Sequence, residues 1–397
     1  MGRYDEHAVR YEPTSVKDLL VEMKDTAELL IDLSYSAVLH NSPTVAQEVV
    51  ELEHRMDALQ MQARMSLMLA ARNPNEAETL APVLGVVAAA DKVADAAGDI
   101  AKIVTEEIGL PDAMRGALSE GVETLVRGTV ADGSEYAGRS LERIDMESAT
   151  GVRVIAIRRD DDWILNPGAT TRLNPGDVAL LRGPEGGVAA VYTELSGEPF
   201  APDPPAEPAI DDLGRAVDSI VLMKNLSELA VDLAYGSVLF DNEELATEVS
   251  NLEIEVDALQ SRFEAWTLRA ASEAADPVSL RGLIHLGVAT EEISDAALTI
   301  SEGVLRDLDV HPVVEMAVQE SDEIISRTVV DEGSGLDGTA VVDGVPATDV
   351  ATSVLAIRRP DEGWLLGPDV DATIRAGDVV ISKGTRRSAT EFDALAA

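Results

Sequence analysis

Residues Met23–Gln60 read MKDTAELLIDLSYSAVLHNSPTVAQEVVELEHRMDALQ, and residues Met223–Gln260 read MKNLSELAVDLAYGSVLFDNEELATEVSNLEIEVDALQ. The two stretches align without a gap and share 18 of 38 residues. A repeat of this period is a duplicated multi-element unit, not a solenoid of short repeats. Within each stretch, apolar residues recur at three- and four-residue spacing, which predicts amphipathic helices.

The pattern extends in both directions. A first helix is expected from Val16 to His40. Ser42-Pro43 then reads as an N-cap followed by proline at the first helical position. The second helix should run to about Arg72, before Asn73-Pro74. The third should start near Glu76 and end before Gly109, and Pro111 should open a shorter fourth. Long helices joined by tight loops imply antiparallel neighbours, hence a bundle.

The last part of each copy changes character. Val154–Arg159 is VIAIRR and Val354–Arg359 is VLAIRR; Trp163 answers Trp364, Pro167 answers Pro368, and Gly176-Asp177 answers Gly377-Asp378. Val152–Arg159 is apolar on both faces, as a covered strand should be. Trp163–Leu165 and Val178–Leu181 read as two further strands, with a type II turn at Asn174-Pro175-Gly176-Asp177 and a closing helix over Val188–Leu195. Between the copies, Ser196–Asp211 holds five prolines and reads as a semi-rigid linker. The expected fold class is therefore α+β multidomain: helical bundle 14–132, small α+β domain 138–195, linker 196–211, bundle 212–332 and small domain 338–395.

Composition narrows the function. The chain has 73 Asp plus Glu against 31 Lys plus Arg, for a formal charge of −42. Nucleic acid and anionic membrane surfaces are disfavoured as partners, because both need a positive footprint. Cysteine is absent, so thiolate metal sites, disulfides and cysteine nucleophiles are excluded. No apolar run is long enough for a membrane span, and the N-terminus has no apolar signal core, so a cytoplasmic chain is expected. Lysine supplies only 6 of the 31 basic residues. Excess carboxylate with scarce lysine and few aromatics suits a halophilic, molar-salt cytoplasm, where the Debye length is about 3 Å.

Two family resemblances follow from these residues. Gly138-Arg139-Ser140-Leu141, VIAIRR, Trp163, Pro167, the Pro-Gly-Asp turn and Gly183 form an ordered series that resembles the C-terminal regulatory domain of potassium channels and transporters, the RCK or TrkA C-terminal family. Copy two is looser over Leu336–Val350 and has Ala376 in place of the turn proline. That resemblance implies a domain that pairs with another copy and binds a small regulatory ligand. The helical halves resemble PhoU-like regulators of phosphate and ion transport, whose Glu/Asp-x3-Asp motifs can hold metal clusters. Together the resemblances imply a cytoplasmic regulatory subunit of a cation transport system, with potassium foremost. Its partner would be a membrane transporter or channel subunit. Self-association is also implied, the two small domains pairing as a pseudo-twofold unit and the chain dimerising further. A phosphate regulator and a divalent-metal sensor acting on a magnesium-type transporter are the alternatives.

Candidate site residues fall into two sets. Carboxylate pairs at i, i+4 recur in both copies: Glu28/Asp32 and Glu228/Asp232, Glu53/Asp57 and Glu253/Asp257, Asp91/Asp95 and Glu291/Asp295. Asp99 extends the third pair in copy one. Such pairs stack their oxygens on one helix face, and all-oxygen ligands suit Mg, Mn or Ca, with Fe also open. Solvated or salt-bound carboxylates are the competing reading, since an acidic chain makes such pairs by chance. The second set is Arg158-Arg159 and Arg358-Arg359, whose guanidinium forks suit an anionic ligand, the alternative being ion pairs with local aspartates such as Asp160–Asp162. Trp163 and Trp364 are expected to anchor the small cores. The five histidines do not recur between copies, so they are not expected to be ligands. One GxGxxG occurs, Gly333–Gly338, after a helical pattern instead of a strand; it reads as a hinge, and neither NAD nor haem is expected. With no catalytic motif in the sequence, the chain is not expected to be an enzyme.

Overall fold

The computed structural model describes residues 14–39, 41–71, 73–111, 124–159, 162–165, 167–183, 185–200, 210–306, 308, 311–321, 323–342, 344–348, 350, 352–360, 363–366 and 372–397. Three long helices open each copy: α1 (Val16–Leu39), α2 (Pro43–Ala70) and α3 (Pro74–Thr105), then α7 (Asp211–Phe240), α8 (Glu243–Glu273) and α9 (Arg281–Leu305). Between them come the short α4 (Leu141–Ile144), α5 (Met146–Thr150) and α6 (Glu185–Ser196); α10 (Pro312–Glu320) and α11 (Arg386–Ala396) follow α9.

Local chemistry sets the helix starts. Ser42 Oγ accepts from Val45 N–H at 3.3 Å ahead of Pro43, and Asn73 Oδ1 accepts from Glu76 N–H at 3.1 Å ahead of Pro74. Both satisfy amides that the helix itself leaves without partners. Asn41 and its counterpart Asp241 adopt left-handed backbone after the first helix of each copy, with φ of 44° and 45°. The short fourth helix expected after Pro111 falls on residues 112–123, outside those described, while α10 is the helix at the corresponding place in copy two.

Each copy ends in a four-stranded antiparallel sheet. The first contains β1 (Thr124–Thr129), β2 (Arg153–Arg159), β3 (Asp162–Leu165) and β4 (Val178–Gly183), in the order β1-β4-β2-β3. Copy two adds β5 (Glu323–Val329), β8 (Thr352–Arg359), β9 (Gly363–Leu366) and β11 (Val379–Thr385), in the matching order β5-β11-β8-β9. Its looser segment supplies β6 (Ala340–Val342) and β7 (Val345–Pro346) to a further small sheet, completed by β10 (Ala372–Thr373) alongside β6. β1 and β5 correct the expected boundaries: they lie inside the spans 14–132 and 212–332 assigned to bundles, yet pair along β4 and β11.

The turn at Asn174–Asp177 forms as expected. Gly176 has φ of +88° and Asp177 N–H donates to Asn174 O at 3.0 Å. Copy two reproduces it without proline: Gly377 has φ of +85° and Asp378 N–H donates to Arg375 O at 3.0 Å. The GxGxxG segment corrects another expectation. It follows strand β5 and leads into β6, and Gly333 and Gly338 have φ of +75° and +90°. A strand-to-strand turn offers no helix N-terminus for a pyrophosphate.

The sheets explain how the domains stack. Successive side chains on a strand point to opposite faces. Leu125, Ala156 and Leu180 face the helical core, while Val126, Ile157, Ala179 and Leu181 join Val188, Val191 and Leu195 of α6 in a satellite core. Copy two repeats the division, with Ile325, Ala356 and Ile381 on the helices and Ile357 and Val380 against Phe392 of α11. Trp163 and Trp364 are half-buried against the helical core, so they sit between sheet and bundle instead of anchoring the small cores.

The two helical halves are not separate bundles. One apolar core runs through α1, α2, α3, α7, α8 and α9, and α3 packs directly on α9. Pairing within the chain is thus made by helices, where the sequence led us to expect it from the small domains. Gly282 N–H of α9 donates to Gly109 O of the first copy at 2.8 Å. Tyr35 OH shares a buried 2.8 Å hydrogen bond with Thr290 Oγ1. The seam is pseudo-symmetric: Lys24 Nζ lies 5.3 Å from the Tyr235 ring centre, and Lys224 Nζ lies 5.4 Å from that of Tyr35. Among the described residues, no helix is long and apolar enough to cross a membrane.

Candidate functional site

The six carboxylate pairs divide by environment. The first pair of each copy is already neutralised. Glu28 Oε1 accepts from buried Lys24 at 2.7 Å, and Asp32 pairs with Arg182 of β4 at 2.9 Å. Glu228 likewise pairs with Lys224 at 2.7 Å and Asp232 with Lys383 of β11 at 2.6 Å. Protein cations fill these positions, which corrects the metal reading for Glu28, Asp32, Glu228 and Asp232. Their role is to hold the helices together and dock each sheet on its own helical half.

The second and third pairs converge. Glu53 and Asp57 on α2 face Asp91, Asp95 and Asp99 on α3, and Glu253 and Asp257 on α8 face Glu291 and Asp295 on α9. Burial, then Asp95 and Asp57, push the Asp91 carboxyl up to about 6 despite Arg64 and a hydrogen bond from Gln60. Burial, then Asp295 and Asp257, push Glu291 up to about 7, with Lys92 working the other way. Glu53, Asp95 and Glu253 are also raised, burial being the largest cause in each. Like charges therefore crowd one half-exposed patch per copy without full compensation.

The two patches differ in their nearby cations. Lys102 pairs with Asp99 at 2.7 Å on the edge of the first. Lys92 crosses from α3 to Asp295 at 2.7 Å in the second, joining the halves. Glu53 lies directly over Gly98: a Cβ built there would meet Glu53 Oε2 at 2.4 Å. Hard-cation chemistry suits these oxygen donors. Among the described residues, however, no three His, Asp or Glu side chains converge on a single metal position. A cation would have to draw the carboxylates inward.

The arginine doublets are engaged in structure, which corrects the reading of them as an open anion site. Arg159 forks onto Asp177 through Nε at 2.9 Å and Nη2 at 2.7 Å, and Arg359 forks onto Asp378 at 3.1 and 3.2 Å. Each aspartate also accepts an amide of its own turn, from Asn174 or Arg375. Burial works against charge on Asp177, but Arg159 and the Asn174 N–H outweigh it and hold the carboxyl below its usual range. Arg158 pairs with buried Glu48 of α2 at 2.8 Å and Arg358 with Glu244 of α8 at 2.9 Å. The partners are thus turn aspartates and helix glutamates; Asp160 and Asp161 fall outside the described residues. Sequence spacing hid the clamps because strand pairing brings Arg159 to Asp177.

Two domain-family profiles agree with this architecture. The PhoU domain profile matches residues 20–104 and 220–304, and the TrkA-C domain profile matches residues 125–196. No match was found among proteins of curated function. Among solved structures, PhoU from Pseudomonas aeruginosa is 13% identical, with 74% of this chain and 96% of that one covered at a TM-score of 0.41. The GsuK RCK domain is 14% identical, with 75% and 72% covered at a TM-score of 0.17. The first profile spans α1 to α3 and α7 to α9, and the second spans the first sheet with α6. The chain carries two PhoU domains and a TrkA-C domain, with a second sheet of the same strand order behind the second PhoU domain.

Proposed function

We propose that the protein is a cytoplasmic regulatory subunit of a cation transport system, potassium foremost, and that a membrane transporter or channel is its partner. The observation behind this reading is the joining of PhoU and TrkA-C domains in one chain, each sheet docked on its helices through complementary ion pairs. The acidic patches supply the sensing chemistry in this reading: Glu53, Asp57, Asp91 and Asp95, with their counterparts Glu253, Asp257, Glu291 and Asp295, would take a divalent cation such as Mg, Mn or Ca, with Fe also open. The cation would relieve the like-charge crowding that, after burial, raises the Glu53, Asp91, Asp95, Glu253 and Glu291 carboxyls.

The reading is tested by deleting the gene in its host and measuring rubidium uptake, as a potassium tracer, and phosphate uptake at fixed external concentrations. Altered rubidium uptake with unchanged phosphate uptake is expected. The reverse result would favour a phosphate regulator, a second reading that draws on the two PhoU matches. Turnover of any substrate by the purified chain would count against both.

A further inference from the structure

Lys383 is placed to do more than dock the second sheet. Its ammonium lies 2.6 Å from Asp232 Oδ1 on α7, in the same copy, and 3.7 Å from Glu28 Oε1 on α1, in the other. Glu28 in turn holds Lys24 at 2.7 Å, and Lys24 donates to Ser321 Oγ at 2.9 Å just beyond α10. Ser321 also donates to Asp25 of α1. The side chains of Lys24, Glu28, Lys383 and Asp232 are only 3%, 13%, 14% and 12% exposed. A strand of the second small domain is therefore wired, through ions shielded from solvent, into the seam where the two helical halves meet. Charges shielded from solvent are screened far less by salt than surface pairs are. The wiring can persist in molar salt.

We propose that Lys383 is a coupling residue that links the state of the second sheet to the α1–α7 seam through Glu28, so that this sheet reports directly to the opposite helical half. Displacing β11 would withdraw the ammonium from Glu28, leaving Lys24 as its remaining close cation among these contacts.

The test is hydrogen exchange on the full chain in molar KCl, for wild type, Lys383→Gln, Glu28→Gln and the double variant. Glutamine at 383 can still donate to Asp232, and glutamine at 28 can still accept from Lys24, so each variant keeps its local hydrogen bond. Severalfold faster exchange in both β11 and α1 is expected from either single variant, with no further increase in the double. Lys383→Arg, which keeps the charge as Arg182 does in copy one, should exchange like wild type and serves as the folded control. The proposal is overturned if Lys383→Gln loosens only β11 and α7, if Glu28→Gln loosens only α1, or if the two effects add.

Discussion

At the residue scale, the carboxylates divide into those matched by a protein cation and those left crowded. This sets the direction of pH dependence. Asp91 is raised from 3.8 to about 6 and Glu291 from 4.5 to about 7, so between the unfolded and folded values the native state binds more protons than the unfolded chain. Stability therefore falls as pH rises from about 4 to about 7 and levels off above. Asp91→Asn and Glu291→Gln should each raise the melting temperature at about pH 8 and flatten the profile of melting temperature against pH. An unchanged profile in both variants would show that the patches are not strained. The Asp177 carboxyl, held below its usual range chiefly by Arg159 against the cost of burial, behaves in the opposite sense. Arg359 and Asp378 have side chains 9% and 1% exposed, whereas Arg159, clamped to Asp177, is 35% exposed. Breaking the buried clamp with Asp378→Ala should cost about 3–5 kcal/mol, and Asp177→Ala should cost less, both read from denaturant melts.

At the element scale, glycines mark where helices come closest. A Cβ on Gly282 would meet Gly109 O at 2.3 Å, a backbone atom that cannot swing away. Gly282→Ala should destabilise the chain by about 1–3 kcal/mol through the seam between halves. Gly98 is a contrasting case, because the atom in the way belongs to the flexible Glu53 side chain. Gly98→Ala should keep or slightly raise stability, since alanine favours the helix by about 1 kcal/mol, while displacing the Glu53 carboxylate and weakening any divalent binding. Long helices were legible because Ser42-Pro43 and Asn73-Pro74 announce their starts. The central strands were legible as β-branched runs before a Pro-Gly-Asp turn. β1 and β5 were not, because each follows directly on a segment with helical patterning. The fusion of the halves was also hidden: small residues around α3, as in Ala88–Ala97, let it pack on α1, α2 and α9 at once, but periodicity does not say which neighbours it has. The acidic patches were legible as spacing, and Lys24 and Lys224 stand one turn before Glu28 and Glu228, yet the cations that match Asp32 and Asp232 are Arg182 and Lys383, which come from distant strands.

At the scale of the whole molecule, a formal charge of −42 is held together by a few basic residues placed at domain contacts. Arg158, Arg182, Arg358 and Lys383 all join a sheet to helices. In dilute buffer, repulsion among the surplus carboxylates is unscreened and opposes compaction. Helical circular dichroism should therefore fall when molar KCl is dialysed to about 50 mM; an unchanged spectrum would remove the halophilic reading. The most direct test of the sensing chemistry is a thermal-melt series in molar KCl with and without Mg, Mn and Ca, on wild type and on Glu53→Gln/Asp57→Asn. Ligand at about 100 times its dissociation constant adds about 2.7 kcal/mol. The account predicts divalent stabilisation of wild type, larger above about pH 7 than at pH 5 and reduced in the variant. Melting temperatures that no divalent cation shifts, or that shift equally in the variant, would contradict it.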